Sequence, residues 1–255
     1  MLGHRCPVGP AEQAWIQESM RWFTAQFGDG PLTRPVVLPT REFFPPPFSG
    51  SDEDVRAAVR RVAGYMGADV TAITVAFTSD LADEQERMRL LPVSRQARGA
   101  AGLYQQHDGR GVLTFDRSNV ADPAVLLAVI AHELGHARLV GEHRISADRK
   151  DQEPLTDLLT VYLGMGIFTA NAAFDFSRTG PPAARVGGWR TNRLGYLTEQ
   201  MFGYGLACYA RLRGEPKPAW ARYLDTNPRV YMKHGLAYIA HAECDDGLPA
   251  APPPG

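Results

Sequence analysis

Pro123-Ala124-Val125-Leu126-Leu127-Ala128-Val129-Ile130-Ala131-His132-Glu133-Leu134-Gly135-His136 is the stretch on which the fold turns. Asn119-Val120-Ala121-Asp122 before it offers a cap, and Pro123 suits a first helical position, where a missing N–H costs nothing. Val125, Leu126, Val129, Ile130, Leu134 and Ala137 then recur at helical spacing, which predicts a buried helix. On that helix His132 and His136 are four residues apart and share a face, so both imidazoles can converge on one ion. Glu133 sits beside the same point and can act on a metal-bound water rather than on the metal.

Zinc in hydrolases usually takes three protein ligands and keeps one position for water. Glu153 and His143 compete for the third place. Glu153 precedes Pro154, which fits only a first helical turn, and Leu155 to Phe168 reads as a buried helix. Asp157 is one turn further on and could accept the free N–H of a ligating histidine, fixing its tautomer. His143 follows Gly141 and would stand about 10 Å along the axis from His136 if the helix simply continued. Glu153 is therefore the stronger candidate. Arg138, just past the second histidine, places a charge near the helix C-terminus, where a cation is tolerated.

With His132-Glu133-Leu134-Gly135-His136 followed by Glu153 and Asp157, the stretch from about Val112 to Gly166 resembles the gluzincin group of zincin metallopeptidases. Those carry Glu-x-x-x-Asp after His-Glu-x-x-His, and the minimal bacterial members look most similar. Two departures stand out, Arg138 where the pattern prefers an apolar residue and Pro154 beside the glutamate. The resemblance implies zinc on His132, His136 and Glu153, Glu133 as general base, Asp157 behind a ligand, and a peptide or protein substrate. The alternative is a regulatory or binding protein that retains a zinc-bearing zincin core without proteolysis. An oxyanion donor is also needed, and Tyr196, Tyr204, Tyr209, Tyr231, His234 and His241 are all available.

Upstream, Ala101 to Gln106 and Gly111 to Phe115 read as a β-hairpin around His107-Asp108-Gly109-Arg110. Ile73 to Phe77 reads as a strand and Val36-Val37-Leu38 as another, short one. Ala11 to Phe27 is expected as an amphipathic helix with Trp15, Met20, Trp22 and Phe23 toward the core. A second helix is expected to start between Ser49 and Asp54, after the extended Pro45-Pro46-Pro47, and to run to about Met66. Asp80 to Gln96 is highly charged and expected to face solvent. Beyond Phe168, Asn171 to Arg193 reads as a long connection. Thr198 to Arg213 and Thr226 to His241 read as helices, with a short Trp220 to Leu224 piece between them.

The expected class is α+β and mainly helical: a zincin-like core with a small sheet on the active-site helix and a helical C-terminal part. It forms one domain over 1–244, with the first helix and sheet at about 11–118, the two site helices at about 122–170 and the C-terminal helices at about 194–242. Residues 245–255 read as a disordered tail. A net charge of −1 argues against nucleic acid. No uninterrupted apolar run reaches membrane-spanning length. The start lacks an apolar signal core, and Cys6, Cys208 and Cys244 form no metal-type pair or even disulfide framework. A reducing cytoplasm is the expected home. Cys6-Pro7 is read as an ordinary surface or weakly packed thiol rather than a latency cap on zinc.

Overall fold

The computed structural model describes residues 5–77, 102–107, 110–115, 122–179 and 197–245. In chain order these form α1 (Pro10–Phe27), α2 (Asp52–Met66), β1 (Ile73–Phe77), β2 (Gly102–His107), β3 (Arg110–Phe115) and α3 (Pro123–His136). Then come α4 (Gln152–Tyr162), α5 (Gly166–Thr179), α6 (Glu199–Leu212) and α7 (Thr226–Asp245). Among the described residues the fold is mainly helical with one three-stranded sheet. It divides into two compact units, Thr40–Lys150 and the pair Met1–Pro39 with Asp151–Gly255.

In the Thr40–Lys150 unit, α2 begins where Ser51 accepts the Asp54 N–H while the Asp54 carboxylate accepts back from Ser51 and Ser49. This reciprocal cap satisfies N–H groups that the first turn leaves without helical partners. The helix stops at Gly67, whose φ of 66° is left-handed, and buries Val55, Val59, Val62, Ala63 and Met66. The sheet has the order β1-β3-β2, with β1 parallel and β2 antiparallel to β3. The hairpin is thus present, and the tip of its turn, 108–109, lies outside the described residues, as do 78–101 with the charged Asp80 to Gln96 stretch. Leu113 and Phe115 of the central strand are fully buried.

Helix α3 starts as its sequence predicts: the Asp122 side chain accepts the N–H groups of Ala124 and Val125, and Pro123 follows. Every residue from Leu126 to His136 is buried. A π-helical turn over Ala137–Gly141 carries the helix further. The whole of Pro123–Gly141, at 19 residues, is the one helix among the described residues that is long and apolar enough to cross a membrane, where none was expected. Since 67% of that window is buried inside the protein, most of its apolar surface is already covered.

The other unit is helical. α1 buries Ile16, Met20 and Phe23, whereas Trp15 and Trp22 are only half-buried. Trp15 keeps its indole N–H on Asp151 Oδ2, 2.8 Å away. Two expectations fail at one place. The helix after Glu153 does not run to Phe168, because Leu163-Gly164-Met165 separates α4 from α5 and Gly164 has φ 88°. Val36-Val37-Leu38 is not a strand either. Its backbone finds the carbonyl left free by that break, Val37 N–H bonding Gly164 O at 3.1 Å. A left-handed glycine ends helices without steric cost, and the released carbonyl satisfies an otherwise buried segment. The expected connection from Asn171 is helical as far as Thr179, where α5 ends; 180–196 lies outside the described residues, as does the tail from 246.

Candidate metal centre

On α3 the two imidazoles meet as their spacing requires. His132 Nε2 and His136 Nε2 lie 3.0 Å apart, with the rings 83° to one another. Two nitrogens bound to one zinc at near-tetrahedral angles would sit about 3.3 Å apart, so the pair stands close to the separation that a shared ion demands. The same gap suits a proton shared by two neutral rings. His132, Glu133 and His136 are 8%, 6% and 7% exposed. Three polar side chains sunk into a helix of Leu, Val, Ile and Ala depart from what packing alone selects, and departures of this kind mark functional positions.

The surroundings of Glu133 come from β2. A Cβ placed on Gly102 would stand 3.1 Å from Glu133 Cγ, 3.4 Å from its Oε1 and 2.6 Å from Val129 Cγ1. Edge strand and glutamate are therefore in direct contact. Two residues on, Tyr104 packs its hydroxyl end against Gly141 and its ring against Gly111. Burial pushes the Tyr104 phenol above its ordinary range, and the Glu142 charge adds to this. Gln106 Nε2 donates to Gly141 O at 3.3 Å. The strand is thereby seated on the helix from Glu133 to the π-helical turn.

Arg138 is accommodated. It pairs with Glu142, which also holds Arg144 Nε at 2.9 Å, so the charge next to the second histidine has a carboxylate partner that it shares with Arg144. His143 is exposed, with φ 56°.

In the helical unit, Glu153 occupies the first turn of α4, as Pro154 predicts, and is half-buried. Asp157, one turn later, is buried and its Oδ2 accepts the N–H of Leu197 at 3.0 Å. Its carbonyl receives the Thr160 hydroxyl at 2.7 Å. The bond to Leu197 spans forty residues of sequence, and no local pattern announces it. Within the Thr40–Lys150 unit, His132 and His136 offer two imidazoles to one point and His143 is exposed; in the helical unit Glu153 offers a carboxylate. Two imidazoles and a carboxylate are a donor set that zinc accepts.

Several expected oxyanion donors have other work. Tyr204 is fully buried and accepts from Gln17 Nε2 at 2.8 Å. Tyr209 is buried against Arg213, and its phenol is pushed up to about 12 by desolvation. Tyr196 lies outside the described residues. Cys6 is half-buried, packed near Tyr204 and Cys208; burial raises its thiol and drives that of Cys208 up to about 12. Neither has the depressed value of a reactive thiolate.

Comparison with known protein families, with curated proteins and with solved structures finds no match to this chain. Gly102 and Tyr104 are the residues near the motif that pattern reading missed. The signal in the sequence was faint, a glycine and a tyrosine two apart in a strand, and only pairing shows which face they occupy.

Proposed function

We propose that the chain is a zinc-dependent peptidase of gluzincin type, acting on peptides or proteins. The observation that carries this reading is the convergence of His132 and His136 at 3.0 Å with Glu133 buried between them in sequence. A site meant only to stiffen the fold gains nothing from a carboxylate there. His132, His136 and Glu153 would hold the ion, which when bound supplies a Lewis acid and brings the ionisation of a water toward neutrality. Glu133 takes the proton from the attacking water and later delivers it to the leaving amine. Asp157, beyond its bond to Leu197, orients a ligand imidazole.

The sheet supports a peptide substrate. Among the described residues β2 borders only β3, and an extended peptide can add to such an edge through backbone hydrogen bonds. Cys6 and Cys208 are free thiols, which agrees with a reducing, cytoplasmic setting.

Glu133→Gln tests the reading, because it keeps size and hydrogen-bonding reach but removes the base. The variant is expected to fold and retain zinc while hydrolysis across a peptide library falls by roughly 100- to 10,000-fold. Equal inertness of wild type and variant would favour the regulatory or binding protein with a retained zinc core.

A further inference from the structure

We propose that Gly102 is a positioning residue for Glu133: the missing side chain on β2 is what lets the glutamate hold its place beside the two histidines. The proposal rests on the reading of Glu133 as the base, and its geometry is independent of any metal. A Cβ at Gly102 would approach Glu133 Cγ to 3.1 Å and Val129 Cγ1 to 2.6 Å. Carbon atoms in contact prefer about 3.5–4.0 Å, so one partner must give way.

The strand is the partner least able to move. β2 is paired along its whole length with β3, from Gly102 opposite Phe115 to His107 opposite Arg110. Tyr104 wedges it against Gly141 and Gly111, and Gln106 ties it to the Gly141 carbonyl. Helix α3 is equally fixed, with Ile130, Ala131 and Leu134 wholly buried. The soft degrees of freedom are the χ angles of Val129 and Glu133. Val129 has a single torsion and little exposed surface. Glu133 has three, and the contact falls on its middle carbon, so relief there swings the carboxylate. Displacing a general base by about 1 Å costs on the order of 100-fold in rate and leaves the ligands untouched.

The test is a double-mutant cycle of Gly102→Ala with Glu133→Ala, run both in the native background and with Val129→Ala, which removes the tighter clash and keeps the protein foldable. Melting temperature reports the contact without any assay of activity. Gly102→Ala is expected to lower it in the Val129→Ala background, and Glu133→Ala is expected to abolish most of that drop, as coupled neighbours do. Zinc per chain should equal wild type in Gly102→Ala. In peptide hydrolysis, kcat should fall by on the order of 100-fold with KM unchanged. A melting drop that is the same with and without Glu133 overturns the proposal. So does loss of zinc in Gly102→Ala, or undiminished kcat. A wild type that hydrolyses no peptide retires the peptidase reading alone, since the melting cycle and the zinc content still decide whether Gly102 places Glu133.

Discussion

Helices α3 and α4 carry the candidate ligands, and they differ in how their buried polar side chains are bonded. In α3 the buried residues are Leu, Val, Ile, Ala and Gly, and the polar exceptions are His132, Glu133 and His136. In α4 the buried polar groups are Thr156, Asp157 and Thr160: Thr156 hydroxyl bonds Gln152 O, Thr160 bonds Asp157 O and also meets Thr169 at 2.8 Å. Asp157 adds the Leu197 N–H. Both helices are held by apolar burial, α4 through Leu155, Leu158, Leu159, Val161 and Tyr162; α3 adds a cap from Asp122, whereas α4 has no side-chain cap at Asp151. Where polar side chains satisfy one another, their burial is explained by the fold. On α3 the three polar side chains lie in an otherwise aliphatic helix, and two of them, His132 and His136, meet each other at 3.0 Å.

Metal content gives the largest effect. His132→Ala, His136→Ala and Glu153→Ala should each remove most of the zinc measured per chain, while His143→Ala should leave it. Zinc retained in Glu153→Ala would confine the metal ligands to α3. Next in size is the core of α3 itself. Leu134, wholly buried, should cost about 2–5 kcal/mol as Leu134→Ala in denaturant unfolding, through lost burial and the cavity left behind. A cost below about 1 kcal/mol would show that apolar packing is not what sustains this helix.

Asp157→Asn sharpens the contrast from the α4 side. The amide oxygen can still accept from Leu197, so the fold should persist, whereas zinc affinity should weaken by roughly 10- to 100-fold if the carboxylate also orients an imidazole. Unchanged affinity in a zinc titration would leave Asp157 with a structural role only. The smallest effect concerns capping. Hydrogen bonds from Ser49 and Ser51 hold the Asp54 carboxyl down at about 2, below its ordinary 3.8. A depressed folded value means that the cap contributes fully above the unfolded pKa and loses its contribution as pH falls through the folded one. Thermal melts between about pH 4 and pH 2 should show a loss in wild type that is reduced in Asp54→Asn.

Much of this was legible locally. The α3 cap, the first turn of α4 at Pro154, the hairpin strands and the Ser51 start of α2 follow from residue types within one turn or one strand, because capping, proline geometry and alternation act over a few residues. The helical break at Gly164 was less visible, since an isolated glycine is tolerated inside helices. Val36-Val37-Leu38 is β-branched enough for a strand, yet a strand needs a neighbour to pair with, and its carbonyl partner is a helix end.

By itself the sequence determined that His132 and His136 share a helical face with Glu133 between them, because helical pitch sets that relation wherever the helix lies. It also determined that this helix would be buried, from its apolar content. Tertiary structure alone decided which strand lies against Glu133, that β1 pairs parallel to β3, and that Asp157 holds Leu197. Those relations join residues tens of positions apart. They depend on which surfaces meet after the chain has collapsed, and spacing along the chain carries no record of that.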